Sequence, residues 1–445
     1  MDATHAMIGH RRYRSLPAGA AIMLVLGCNA QAPPLRAVLE DFTSGYAALE
    51  PEPFTLDFRE RLTAVPADNV LADQEIFFQK QQRVLAGMEE AHATADERLL
   101  LDLARFETNH QLDRIALERR WIKAGRPMPT RGVYTLPDHE AWYKLLVRRF
   151  TGYERTPQEL MAFGEAEVAR CHREIEQLLA QLGRNTADEG WITSKPEVLR
   201  RFAAIDSTVR SRLAGFVGAV DVPPVQAMEW PNAGPHTPPG MYLSRDDNAY
   251  GTAVFQFNFH GGRFDARALD WIYLHEAIPG HHLQWSLRHS DAADDLRTHL
   301  LYPGNFEGWA CYVEYHGAEL GLYTDPLQAL GKWEWDLVRS VRVVLDAGIH
   351  GLGWSREQAL AYWEKHIPGR LELADREVTR VTNWAAQALS YKVGADGIQR
   401  LRERSLRELG ADFNAARFHR VFLDLGMVPI AVAERALTER TIPDQ

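Results

Sequence analysis

Cysteine is nearly absent from this chain: Cys28, Cys171 and Cys311 are the three in 445 residues. Cys28 sits near the N-terminus and the other two fall inside helical patterns, so no disulfide framework can be drawn and a packed core must hold the fold. Cys171 and Cys311 read as buried free thiols. Dense basic tracts are missing too. With 50 Lys+Arg against 60 Asp+Glu, a formal net charge of -10, no segment has the cationic density to follow a phosphate backbone, which argues against nucleic acid as a partner. After the first thirty residues no apolar run is long enough for a bilayer, so no transmembrane helix is expected in the mature chain. No internal repeat and no low-complexity linker is present. The remaining composition, 46% hydrophobic and 25% charged, is that of a globular enzyme long enough for one large domain or two lobes.

The first residues read differently. His10, Arg11, Arg12 and Arg14 form a basic stretch, and Pro17 to Leu26 a short apolar one that suits an export signal better than a span. The stretch ends in Val25-Leu26-Gly27-Cys28, similar to a bacterial lipobox, where cleavage precedes a cysteine that is then lipidated. A second small-x-small site, Ala30-Gln31-Ala32, is followed by Pro33, which disfavours ordinary signal cleavage. The expectation is a lipoprotein-type signal peptide over residues 1–27, a lipid anchor at Cys28 and a single helical domain over 28–445 on the periplasmic side of the cell envelope. Plain secretion to the periplasm is the alternative.

Most of the chain carries helical patterning. Residues 68–123 hold long runs of helix formers, broken near Gly125-Arg126-Pro127. Thr156-Pro157-Gln158-Glu159 is a capping box with proline at the first helical position, and the apolar residues after it recur at helical spacing up to Gly183. Ser355 to Gln358 opens another helix, ending near His366. The exception is 221–262, where Pro223, Pro224, Pro231, Pro235, Pro238 and Pro239 forbid a regular helix. There, Met241-Tyr242-Leu243 and the run from Gly251 to His260 predict two strands around a polar turn at Arg245–Asn248. Phe255, Phe257 and Phe259 alternate with Gln256, Asn258 and His260. The polar face could pair with an extended substrate through Asn258 and His260, or simply belong to a surface hairpin.

The most informative segment is Leu274-His275-Glu276-Ala277-Ile278-Pro279-Gly280-His281-His282. Zinc-peptidase helices place two histidines four apart, with a glutamate beside the first. Here the spacing is six to His281 or seven to His282. On an unbroken helix six residues rotate about 600° and rise about 9 Å, and seven rise about 10 Å, so neither pair could share a cation that needs nitrogens within about 2.1 Å. Pro279 supplies the break: it has no N–H for the carbonyl of His275, and its ring clashes there. Gly280 permits a tight turn. Spacing leaves His281 and His282 open as the second ligand. The third is expected downstream, where Asn305 to Glu314 reads as a capped helix start carrying Glu307. Two histidines and a glutamate leave one position for water, the catalytic arrangement, with Glu276 placed to take its proton.

His275-Glu276-x-x-Pro279-Gly280-His281-x-x-Gln284, followed by Glu307-Gly308-Trp309-Ala310, resembles the bacterial domain-of-unknown-function 885 family, regarded as akin to helical zinc metallopeptidases of the gluzincin type. The likeness runs from Thr156-Pro157 to the C-terminus, through Asp346-x-Gly348-Ile349-His350 with Gly353-Trp354-Ser355, and Gln387-Ala388-Leu389-Ser390-Tyr391-Lys392-x-Gly394. Its pattern fixes the histidine after Pro-Gly, which implies His281. Two departures stand out: Ala385-Ala386 where the family usually has Pro-Gly, and Cys311 where an aliphatic residue is usual. Arg339, Arg342, Asp346 and His350 form a polar stripe on an apolar helix over 332–350, ordinarily a solvated face. The resemblance raises Arg342 and His350 to substrate-side groups, with Tyr391, His350 or His260 meeting an oxyanion.

These readings predict a mainly α, metallopeptidase-like fold, two-lobed around a channel, with a small β element near the site. It would hold one Zn2+ on His275, His281 and Glu307 and cleave short peptides with Glu276 as base. A metal-dependent hydrolase of another amide or ester, or a non-catalytic peptide-binding envelope lipoprotein, are the alternatives.

Overall fold

The computed structural model describes residues 34–49, 57–183, 190–288 and 295–441. The expected signal segment and Cys28 lie outside these. The fold is mainly α, as the sequence implies. An N-terminal block comprises α1 (Leu35–Leu49), α2 (Phe58–Thr63), α3 (Asp68–Ala86), α4 (Ala95–Lys123) and α5 (His139–Thr151), followed by α6 (Pro157–Leu182) and α7 (Lys195–Val217). The site region holds α8 (Leu269–Glu276), α9 (His281–Ser286), α10 (Pro303–Glu314) and α11 (Pro326–Asp346), the last continuing into a π-helical turn over Ala347–Gly351. The chain closes with α12 (Arg356–His366), α13 (Leu371–Asn383), α14 (Leu389–Leu409), α15 (Ala415–Asp424) and α16 (Ile430–Thr441).

The helix boundaries follow local chemistry. Full capping boxes start α4 at Thr94/Glu97, α6 at Thr156/Glu159 and α12 at Ser355/Gln358. α6 stops at Gly183, whose positive φ of 64° suits glycine. The predicted cap at Asn305 is not one. α10 begins two residues earlier at Pro303, and Asn305 is buried, accepting from the Gln284 amide and donating to the Val428 carbonyl.

Strand β1 (Trp191–Ile192) pairs antiparallel with β5 (Phe264–Asp265) in a small ladder, while β2 (Val225–Glu229), β3 (Gly240–Leu243) and β4 (Ala253–Phe257) form a sheet ordered β2-β4-β3. The predicted pair is present as β3 and β4, antiparallel, with Tyr242 opposite Phe255. The parallel partner β2 escapes sequence reading because prolines flank it on both sides. β4 is shorter than the alternating run and buried on both faces, with Phe255 and Phe257 packed on Phe202 of α7.

One large core draws residues from Val38 in α1 to Leu437 in α16. A second gathers Val168 and Cys171 of α6, Val341 and Leu345 of α11, Trp363 of α12 and Val378 and Val381 of α13. The N-terminal block reaches the site through Glu107 of α4, a buried carboxylate that accepts from Tyr46, from Gln111, from Arg149 and from Tyr302, the residue immediately before α10.

The stripe on α11 is buried rather than solvated. Asp346 accepts from the Tyr143 hydroxyl at 2.7 Å and the Ala386 amide at 2.9 Å. Ala386 takes φ 64°, where a Cβ is strained and glycine is favoured. His350 spends both ring nitrogens on backbone: Nδ1 accepts from Val133 N–H at 3.0 Å and Nε2 donates to the Val381 carbonyl at 2.7 Å. Burial pushes its pKa down to about 4. The folded value lies below the ordinary one of about 6.5, so the stability held by the neutral ring is full above that pH and lost as the pH falls towards 4.

Two stability predictions follow. Ala386→Gly should raise unfolding free energy by roughly 0.5–1 kcal/mol in denaturant titration; a loss would show that the loop does not need this conformation. Thermal midpoints should fall between pH 6.5 and pH 4, and His350→Gln should flatten part of that slope. The buried neutral rings of His110 and His419 act in the same direction.

Candidate metal centre

The site is built on a chain reversal. α8 ends at Glu276, Ala277 leaves helical geometry at φ -103°, ψ -107°, and α9 restarts at His281. Pro279 cannot extend α8. Gly280 lies so close to the end of α8 that a Cβ there would strike the carbonyl oxygens of Leu274 and His275. The indole of Trp309 donates to the Pro279 carbonyl at 2.8 Å and pins the turn. The reversal places the rings of His275 and His281 with centroids 4.7 Å apart and planes at 80°. His282 faces elsewhere: its Nδ1 meets the Tyr242 hydroxyl at 3.2 Å and its Nε2 the Pro223 carbonyl at 2.8 Å.

Glu307 arrives on α10, which crosses α14 closely because a Cβ on Gly308 would meet the backbone of Gly394 at 2.6–2.7 Å. Its Oε2 stands 3.4 Å from Nε2 of His275 and 3.4 Å from Nε2 of His281. The donor atoms of these three buried residues all lie within 4.8 Å of one another. Glu307 Oε2 and both ring nitrogens of His281 are buried without a hydrogen-bond partner among the described residues. Such orphaned groups are costly unless something satisfies them, and one divalent cation would satisfy Glu307 Oε2 and Nε2 of His281 together, so the residues fit a metal. Burial pushes the Glu307 carboxyl up, but the two imidazoles outweigh it and hold the pKa well below the carboxylate range.

A residue missed in the sequence completes the centre. His275 Nδ1 lies 2.8 Å from Glu314 Oε1, and Glu314 Oε2 accepts from Arg339 at 2.7 Å. This pairing puts the proton on Nδ1 and turns the Nε2 lone pair towards His281 and Glu307. The available signal was spacing: Glu314 lies two helical turns after Glu307, on the same face. Cys311, one turn after Glu307, forms with His275 and Glu314 a second cluster of donor atoms within 4.8 Å. There the Arg339 guanidinium stands 3.3 Å from His275 Nδ1, and burial pushes the Cys311 thiol up, so this second cluster fits a cation less well than the set on the Nε2 side.

Glu276 is buried beside the ligand set, and its Oε2 accepts from the Tyr242 N–H of β3 at 2.8 Å. Burial raises its pKa, opposed by His275 and His281. It opens with the three ligand residues into a cavity of about 400 Å³, which Tyr391, Arg342, Arg380, Trp271 and Trp335 also line. The Tyr391 ring is parallel to that of His275 at 6.3 Å. Its hydroxyl accepts from Arg380 at 3.2 Å and Gln387 at 3.5 Å, which leaves its own hydrogen for a group in the cavity.

The remaining sequence candidates separate. Arg342 lines the cavity and donates from Nε to Glu377 at 2.7 Å. His350 does not line it, and with both nitrogens on backbone it has nothing to offer a substrate. Asn258 and His260 line an adjoining hollow of about 420 Å³, beyond the stacked pair Trp271–Trp335, whose ring centroids are 5.3 Å apart. Asn258 holds a loop there, donating to the Thr237 carbonyl at 2.8 Å and accepting from His260 N–H. The alternation that suggested a substrate-facing strand ends before both residues, in the irregular chain after β4.

No curated protein matches this chain. Among solved structures it resembles a candidate lipoprotein from Colwellia psychrerythraea, at 23% identity and TM-score 0.64, over 91% of this chain and 74% of that one. It also resembles a candidate lipoprotein of unknown function from Shewanella oneidensis, at 19% identity and TM-score 0.55, over 89% and 82% respectively. At these identities the likeness is one of fold. The family described as bacterial protein of unknown function (DUF885) matches residues 27–437, and the chain belongs to it.

Proposed function

We propose that this protein is a metal-dependent hydrolase, a zinc peptidase acting on short peptides, with His275, His281 and Glu307 as ligands. The observation that carries the reading is the pairing of a buried His₂Glu donor set, in which Nε2 of His281 and Glu307 Oε2 lack hydrogen-bond partners among the described residues, with a second carboxylate, Glu276, that is not part of the set. A purely structural metal site has no need of that carboxylate, and four protein ligands rather than three are usual there. When bound, the cation acidifies a water and polarises a carbonyl. Glu276 then takes a proton from the attacking water and returns it to the departing amine as the C–N bond breaks. Burial raises its pKa, which strengthens it as the base in the first transfer. Tyr391 directs its hydroxyl hydrogen to the developing oxyanion, because Arg380 and Gln387 already occupy its lone pairs. Glu314, backed by Arg339, fixes the tautomer of His275. The lipoprotein descriptions of the two similar structures and the Val25–Cys28 segment support an envelope location.

Elemental analysis of purified protein should find one zinc per chain, lost in Glu307→Ala and retained in Glu276→Gln. Metal retained by Glu307→Ala would overturn the ligand assignment. Glu276→Gln should cut peptide hydrolysis by about 10²–10⁴-fold with the metal in place. Wild-type rates in that variant would remove Glu276 from the mechanism.

A further inference from the structure

The wall of the cavity facing the ligand set is built from guanidinium groups. Arg342 of α11 and Arg376 and Arg380 of α13 all line it. Arg342 Nε and Arg376 converge on the two oxygens of one carboxylate, Glu377, at 2.7 and 2.9 Å. Arg380 stands on the same wall, donating to Gln387 and to the Tyr391 hydroxyl. Of the other acids lining the cavity away from the ligand set, Glu372 and Asp375 are exposed, where solvent screens them, and Asp57 is half-buried and caps α2. Arg342 is 3% exposed, yet only its Nε makes a hydrogen bond among the described residues, so its two terminal amino groups are left for the cavity. Guanidinium donors that open to the cavity beside a second guanidinium suit an anion, and a carboxylate matches the planar fork.

The spacing identifies which carboxylate. The guanidinium carbons of Arg342 and Arg380 lie 5.9 and 5.8 Å from the Tyr391 ring centroid, and that ring lies 6.3 Å from His275. These two legs bound the separation from above, and an extended peptide advances roughly 3.3–3.6 Å per residue, so the chain end of a peptide reaches the arginines within one or two residues of the reacting carbonyl. We propose that Arg342 and Arg380 bind the free C-terminal carboxylate of the substrate, making the enzyme a carboxypeptidase that releases one- or two-residue fragments. This rests on the hydrolase reading above and deepens it. Water adds its oxygen to the acyl carbon, the amide C–N bond breaks, and the proton held by Glu276 passes to the new amino terminus.

The test separates recognition from turnover. A degenerate pool of N-acetylated hexapeptides is prepared half as free acids and half, isotope-tagged, as C-terminal amides. Zinc-loaded Glu276→Gln protein is immobilised, and retained peptides are counted by mass spectrometry. Acids should be retained about 10- to 100-fold over amides, the worth of a charged hydrogen-bonded pair. Arg342→Gln, added to that variant, should erase the preference with zinc content unchanged. Should the double variant fail to fold, the comparison on Glu276→Gln alone still decides. Equal retention overturns the proposal whatever the turnover. Wild-type protein is then given the same pool: loss of one or two C-terminal residues from acids supports the proposal, and internal cuts or equal cutting of amides overturn it. If acids are preferentially retained but neither form is cut, the hydrolase reading fails while carboxylate recognition stands.

Discussion

Everything at this site depends on a close approach of backbone to backbone, where the turn through Ile278, Pro279 and Gly280 presses on the last carbonyls of α8. Two imidazoles six residues apart cannot share a cation on a continuous helix, and only a chain without a side chain at position 280 can fold back tightly enough to bring them together. The same turn is tied to Trp309, two residues after Glu307. The histidine pair and the distant carboxylate are therefore held by one mechanical unit, and the crossing of Gly308 over Gly394 fixes that unit against α14.

The electrostatics fit this construction. Glu314 is balanced by Arg339, and Arg342 by Glu377, so within the buried centre two carboxylates, Glu276 and Glu307, have no Lys or Arg partner among the described residues. A dication would neutralise them in a place where an uncompensated charge is expensive. Arg376 and Arg380 gather with the Arg342–Glu377 pair on the cavity wall, which gives the cavity a carboxylate-bearing part and a guanidinium-bearing part.

Much of this was legible in the sequence because it is local. The capping boxes at Thr156 and Ser355 need only four residues to declare themselves, and Pro279-Gly280 announces a broken helix wherever it occurs. Glu307 was reachable because it begins a motif of its own. What stayed hidden depends on partners distant in the chain. The stripe on α11 has the periodicity of a solvated face, and only the packing of α5 and α13 around it turns Asp346 and His350 into internal hydrogen-bonding groups. Asn258 and His260 followed a clean alternation, but the ladder stops at Phe257 and their polar atoms turn to loop carbonyls. Glu314 looks like any helical glutamate until His275 is seen beside it.

The stacked indoles of Trp271 and Trp335 form the boundary between the two hollows, with Arg339 and Arg342 within 5.5 and 5.6 Å of them. Closely coupled aromatic rings absorb and emit according to their immediate electric field. A molecule settling on either side changes that field, so the unlabelled protein carries its own optical signal for cleft occupancy.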